Sequence, residues 1–295
     1  MADNPWLARR VLNYAHQGGA REAPSSTLLA LRQAVANGAH ALELDVHATA
    51  DRQLVVCHDA TVDRTTNKTG AIADLTLEQL QTLDNAYWWV PGQVAARDRS
   101  PVDYPYRGRA PAEPSLRVTT LHEVLTELPG VFLNLDLKQT APQVEPYEAL
   151  LAETLRDFGR RDDVIVASFL DAAIEAFAAV APEIHTSYPT GATAAFWQAV
   201  HDGAPPPPTR HVALQVPATY GEVTVVDEAF VAAAHRGGVA VHVWTIDEPD
   251  EMQRLLALGV DGIMTDRPSV LDAVLKADGS RWPGPGPGPA TAPGP

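Results

Sequence analysis

His40–Asp59 reads HALELDVHATADRQLVVCHD, and its alternation decides what the rest of the chain must be. In extended backbone successive side chains point to opposite faces, so Glu43, Asp45 and His47 share one face of a strand while Leu42, Leu44 and Val46 share the other. The apolar face predicts burial against helices. The polar face sets two carboxylates about 7 Å apart, near enough for one cation to bind both and costly to keep ionised without one. After Thr49, the turn residues Ala50, Asp51 and Arg52 lead into QLVVCHD, a second short strand expected to fold back and return His58 towards Asp45.

Upstream, VLNYAHQGG from Val11 predicts a strand that breaks at Gly18 and Gly19, with His16 at its end. Ser25, Ser26 or Thr27 can cap a helix whose Leu28, Leu31, Ala34 and Val35 recur at helical spacing and which Asn37 and Gly38 stop. Strand, helix and strand form a βαβ unit, which implies parallel strands. Downstream, residues 59–118 lose both periods apart from a short helix at Leu75–Leu83 and are expected to be an inserted segment, functional or lid-forming at that length.

Alternation then resumes. A helix over Thr120–Leu128 precedes VFLNLDLK, where Asn134, Asp136 and Lys138 share one face. Further helices are expected at 146–158, 171–180, 193–200, 227–236, 248–258 and 268–276, each between strands. Strands starting near Val11, Ala41, Val131, Val164, Ile184, Val212, Val239 and Gly262 make eight, which predicts an α/β fold of the (β/α)8 TIM-barrel type. The expected organisation is one catalytic barrel domain over residues 1–282, the segment 59–118 inserted after the second strand, and a disordered Pro/Gly-rich tail over 283–295. An open doubly wound sheet is the alternative, but no predicted strand is followed by its glycine-rich phosphate loop. In a barrel the chemistry sits at the C-terminal strand ends, where His16, Glu43, Asp45, Asp136, Lys138 and Trp244 fall.

With 45% hydrophobic and 20% charged residues, the 295-residue chain can build a full core. Its net charge of -15 is the wrong sign for nucleic acid or an anionic membrane surface. No apolar run approaches the ~18 residues of a spanning helix, so stable membrane insertion is not expected. The single cysteine, Cys57, allows no intrachain disulfide, and a cytoplasmic location is the expectation. Nothing in the sequence sets an oligomeric state.

As chemistry, the set is three carboxylates on two strands, two histidines and a lysine. Oxygen ligands are hard, which favours Mg²⁺ or Ca²⁺, with Mn²⁺ also compatible, over zinc. A cation and a lysine can stabilise charge on a phosphoryl oxygen while one histidine takes a proton and the other gives one, which suits phosphodiester cleavage.

AHQGG at Ala15–Gly19, ELDVHATADRQLVVCHD from Glu43, DRTTNKTG from Asp63, LNLDLK from Leu133, and VWTID followed by GVDGIMTDRP together resemble the glycerophosphodiester phosphodiesterase family. The resemblance implies a (β/α)8 barrel with a segment inserted after its second strand, and metal-dependent hydrolysis of small glycerophosphodiesters to an alcohol and glycerol 3-phosphate. It implies His16 and His58 as acid and base, Glu43, Asp45 and Asp136 as metal ligands, Lys138 on the phosphate and Trp244 beside the substrate. A lysophospholipase D-like phosphodiesterase and a phosphodiester-binding barrel without turnover are the alternatives.

Three positions depart from the family pattern. Gln17 stands where an arginine usually binds phosphate, with Arg21 the candidate replacement; Glu22 is the candidate for a glutamate of the first loop; and Asp136 replaces a glutamate. Cys57 is expected to be a small buried hydrophobe, His47 and His242 to be ordinary structural residues, and Asp266 to cap the last helix. Tyr87, Trp88 and Trp89 are expected either to wall the site or to anchor the inserted segment.

Overall fold

The computed structural model describes residues 4–110, 112–138 and 147–284. In chain order the elements are α1 (Pro5–Ala8), β1 (Leu12–His16), α2 (Leu28–Ala36), β2 (Ala41–Ala48), β3 (Leu54–Val56), α3 (Leu77–Gln81), β4 (Thr119–Thr120) and α4 (Leu121–Glu127). There follow β5 (Phe132–Leu137), α5 (Tyr147–Asp157), β6 (Val164–Ala167), α6 (Asp171–Val180), β7 (His185–Thr186), α7 (Thr190–His201) and β8 (Ala213–Pro217). A small exposed hairpin of β9 (Thr219–Tyr220) and β10 (Val223–Thr224) leads to α8 (Glu228–Arg236), β11 (Ala240–Trp244), α9 (Pro249–Leu258), β12 (Gly262–Thr265) and α10 (Pro268–Asp278).

The strands β7-β6-β5-β2-β1-β12-β11-β8 pair in that order, every neighbour parallel. The ring closes between β7 and β8, where Ser187 bridges Ala213 in parallel and Tyr188 N donates to Ala213 O at 2.9 Å. This is the (β/α)8 barrel, and each of its strands begins within one residue of the position expected from periodicity. Thr27 is the cap of α2, accepting from Ala30 N, and Asp227 caps α8 in the same way through Phe230 N. The start expected for α5 and the tail from residue 285 lie outside the described residues.

β2 is buried along its whole length because both faces are covered. Leu42, Leu44 and Val46 pack outward with Leu31, Val124, Leu133 and Leu151, while Glu43 and Asp45 face the interior. The lower interior is filled by Leu12, Tyr14, Ala41, Phe132, Ile165 and Met264, and Trp6 of α1 plugs that end. Trp6 meets Phe132 edge-on at 5.6 Å and donates from its indole to His185 Nδ1 at 2.9 Å. Above the apolar layer, Gln215 donates to Asn134 Oδ1 at 2.8 Å beside the fully buried His242, a structural residue that burial pushes down to about 3. At Gly262 a side chain has no room, since a Cβ would lie 2.9 Å from both the Tyr14 and His242 rings.

β3 folds antiparallel onto β2, pairing Val46 with Val56 and Ala48 with Leu54, and β4 extends the ladder. Between β3 and β4 the chain is not coreless: Val62, Ile72, Leu80 and Leu83 bury a small cluster with Val55, Cys57 and Val118. Cys57 is therefore the buried hydrophobe expected, its thiol pushed up to about 12 by burial. Of the aromatic trio, Trp89 ties this segment to the first loop, and Tyr87 and Trp88 pack within the segment itself. Trp89 is buried and donates to Ala20 O at 2.9 Å, while Arg107 stacks on Tyr87 and Trp88 at 4.4 and 4.8 Å.

Candidate active site

Register brings the polar faces together. His16 at the end of β1 is paired with Glu43 of β2, and Asp45 of β2 is paired with Asp136 of β5. The hairpin turn carries the chain back so that Cys57 N donates to Asp45 O at 3.0 Å, setting His58 at the mouth beside the carboxylates. The His16 and His58 rings stand 6.2 Å apart, nearly perpendicular.

His16 Nδ1 lies 2.7 Å from Asp266 Oδ1, and its Nε2 lies 3.7 Å from Glu43 Oε2. Burial opposes charge on this ring, but the Asp266 hydrogen bond and the fields of Glu43, Asp266 and Asp45 outweigh it and push its pKa up to about 9. Asp266 is thus the partner of His16. The expectation that it caps the last helix is corrected, because the residue at that cap is Arg267 and no side-chain cap bond forms there. The first turn of α10 is instead met by Glu22, whose carboxylate accepts from Ser269 N at 3.1 Å and from its hydroxyl at 2.6 Å, so Glu22 is drawn away from the interior carboxylates.

His58 Nδ1 lies 2.7 Å from Asp59 Oδ1, and the other Asp59 oxygen accepts from Arg64 Nε at 2.8 Å. The His58 bond, and then Arg64, hold the Asp59 carboxyl well below its ordinary range. Gln17 sits at φ +52, a left-handed conformation uncommon outside glycine, followed by Gly18 and Gly19 at +83 and +84. These glycines let the loop pack tightly: a Cβ would meet Leu31 Cδ2 at Gly18 and Pro268 at Gly19, each at 2.8 Å. The bend turns the Gln17 amide inward, with Nε2 3.1 Å from His16 Nε2 and Oε1 accepting from Ser25 at 2.6 Å. Arg21, the other candidate near the phosphate, lies with its Nε 3.4 Å from Asp247 Oδ2.

Lys138 sits between the two paired aspartates, its ammonium 2.9 Å from Asp45 Oδ1 and 3.2 Å from Asp136 Oδ2. Burial disfavours its charge, yet those two carboxylates overcome the penalty and raise its pKa. Burial foremost, and Asp45 next, push Glu43 upward, while Asp136 is pushed up to about 6 by burial against the pull of Lys138. Glu43 Oε2, Asp45 Oδ2 and Asp136 Oδ1 are each buried without a hydrogen-bond partner. One orphaned oxygen from each of three hard ligands fits a divalent cation in chemistry. As the side chains stand, no three metal-ligating side chains among the described residues converge as an ion-binding group.

Trp244 closes the far side of the mouth, edge-on to Phe169 at 5.7 Å. Phe169 and Leu170, just beyond β6, are 58% and 46% exposed, so an apolar rim stands beside the polar centre. His47 is buried next to the carboxylates and pushed down to about 4 by burial. The residues that sequence reasoning missed are Asp266, Asp59 and Arg64. All three lie within the family-like motifs, but nothing local marks Asp266 and Asp59 as partners of a histidine or Arg64 as the partner of Asp59.

Residues 16–270 match the glycerophosphoryl diester phosphodiesterase family. A glycerophosphodiester phosphodiesterase of Caldanaerobacter subterraneus subsp. tengcongensis is 30% identical over 275 residues, covering 92% of this chain and 100% of the relative. The crystal structure of a glycerophosphodiester phosphodiesterase from Agrobacterium tumefaciens superposes with a TM-score of 0.67 at 23% identity, over 89% of this chain and 99% of that one. An Oleispira antarctica phosphodiesterase, solved in complex with the product sn-glycerol-3-phosphate, does so with a TM-score of 0.69 at 23% identity, over 92% and 99%. No helix among the described residues is long and apolar enough to cross a membrane. A match over this much of the chain, onto a barrel whose strand ends gather these histidines and carboxylates, means that the protein belongs to the glycerophosphoryl diester phosphodiesterase family.

Proposed function

We propose that this chain hydrolyses glycerophosphodiesters to an alcohol and glycerol 3-phosphate, with a divalent cation, Mg²⁺, Ca²⁺ or Mn²⁺, held by Glu43, Asp45 and Asp136. The observation that carries the reading is the pair of facing histidines, His16 and His58, each bound at Nδ1 to its own carboxylate at 2.7 Å. A carboxylate on Nδ1 fixes ring orientation and leaves Nε2 for proton transfer.

The two rings divide the work of general base and general acid. One accepts the proton of the attacking water as its oxygen bonds to phosphorus; the other donates a proton to the alcohol oxygen as the P–O bond breaks. Lys138 and Gln17 are the proposed polar contacts to the substrate, Arg21 being turned to Asp247, and Trp244 packs beside it. The chemistry that a cation supplies when bound is neutralisation of the carboxylates and of developing phosphoryl charge.

The test is incubation with glycerophosphocholine and glycerophosphoethanolamine with each cation supplied, measuring glycerol 3-phosphate. Release that His16→Ala and His58→Ala abolish supports the reading. No release from these or from a panel of other diesters overturns it. The exposed Phe169 and Leu170 beside Trp244 favour a second reading, a lysophospholipid substrate whose acyl chain lies on that rim. Turnover that rises with acyl-chain length would favour it.

A further inference from the structure

A phosphodiester is an anion, and the mouth it must enter is ringed by carboxylates, so the position of each basic group matters. Lys138 is engaged by Asp45 and Asp136, and Arg21 by Asp247. Arg64, from the segment after β3, is also paired with a carboxylate, but it reaches Gln17 as well. Its Nε donates to Asp59 Oδ2 at 2.8 Å, and its Nη2 lies 3.5 Å from Gln17 Oε1. Asp59 holds the His58 ring and the Gln17 amide meets the His16 ring, so the guanidinium spans the partners of both histidines.

Its position is fixed from both sides. Thr65 donates to Asn85 Oδ1 at 2.6 Å, Asn85 donates to Ser25 O at 3.4 Å, and Ser25 in turn donates to Gln17. Thr66 donates back to Val62 O at 2.8 Å. A guanidinium carries five N–H donors in a planar fork, and these two contacts occupy only part of it. Its side chain is 30% exposed rather than sealed in the core.

We infer that Arg64 is the residue that grips the substrate's phosphoryl oxygens, on the side of the site lined by Gln17, and that the segment after β3 thereby supplies part of the anion-binding surface. Gln17 is neutral and cannot match the anion's charge; a guanidinium reaching across its amide can, through paired N–H bonds to two oxygens. This rests on the phosphodiesterase reading and deepens it.

The test compares the wild type with Arg64→Lys, Arg64→Gln and the double variant Gln17→Arg/Arg64→Gln. It measures KM and kcat for glycerophosphocholine and the affinity for sn-glycerol 3-phosphate by calorimetry. Loss of a charged hydrogen bond predicts about a 10- to 100-fold weaker affinity for glycerol phosphate and a similar rise in KM in Arg64→Gln. Arg64→Lys, which keeps the charge but not the fork, should fall between, and the double variant should regain part of the loss. A fall in kcat with glycerol phosphate affinity unchanged would overturn the inference, because Arg64 would then act only through Asp59 and His58. If Arg64→Gln does not fold, Arg64→Lys and the double variant decide on the same criterion. A wild-type protein that neither binds glycerol phosphate nor releases it from any diester overturns the phosphodiesterase reading and this inference with it; one that turns over while Arg64→Gln binds as well as wild type overturns the inference alone.

Discussion

His16 Nδ1 and Asp266 Oδ1 meet at 2.7 Å across 250 residues of chain, joining the first barrel strand to the loop after the last. Closure of the barrel makes the contact, since β1 pairs with β12 as it does with β2. A buried carboxylate on the far nitrogen of a catalytic imidazole fixes its orientation and favours its protonated form. Asp266→Asn and Asp266→Ala should therefore lower kcat about 100-fold or more with a small change in KM, by analogy with other carboxylate–histidine pairs. Steady-state kinetics on glycerophosphocholine would check this; an unchanged kcat would reduce Asp266 to a loop contact.

The three orphaned carboxylate oxygens set the second expectation. Chelation should abolish turnover, and Mg²⁺, Ca²⁺ or Mn²⁺ should restore it. Asp45→Asn should weaken cation affinity about 10- to 100-fold with an unchanged circular dichroism spectrum. Calorimetric titration reads the affinity directly, and an Asp45→Asn protein that binds the cation as wild type does would rule out the ligand assignment.

His242 gives a pH dependence of stability. Its ring is fully buried and held neutral down to about pH 3 by burial, whereas the unfolded chain takes up a proton on this side chain near pH 6.5. Between those values the unfolded state binds more protons, so stability falls as pH drops, by up to about 1.4 kcal/mol per pH unit for this group. His40, pushed down to about 4 by burial, acts in the same direction. Urea denaturation at pH 7, 6 and 5 should show the slope, and His242→Phe should flatten it. A slope unaffected by that change would mean the acid sensitivity originates elsewhere.

Gly262→Ala should destabilise the barrel without touching the mouth. The new Cβ would lie 2.9 Å from two buried rings, Tyr14 and His242, neither of which has space to withdraw. Overpacking of this kind costs about 1–3 kcal/mol, to be read as a lower denaturation midpoint with kcat retained in the folded protein.

Much of the site was legible because strands impose a period of two. Glu43 and Asp45, then Asp136 and Lys138, declared their shared faces in the sequence, and register supplied the pairing of Asp45 with Asp136. Tyr87, Trp88 and Trp89 allowed two readings, and packing makes Trp89 an anchor to the first loop. Arg21, the candidate for the phosphate, turns to Asp247, and Glu22, the candidate first-loop glutamate, turns to Ser269. Neither direction has a local signal, since both residues lie in a loop without periodicity.

The sequence by itself determined the eight-fold alternation, the shared face of Glu43 and Asp45, that of Asp136 and Lys138, and the place of His16 at a strand end. These follow from backbone geometry, which fixes side-chain direction within one element. Only the tertiary structure decided that Asp266 holds His16, that Lys138 lies between two aspartates, and that Arg64 reaches Gln17 from the segment after β3. Those contacts join residues whose nearness depends on how the sheet closes and how a loop is tied down, and neither is written in the spacing of any one stretch.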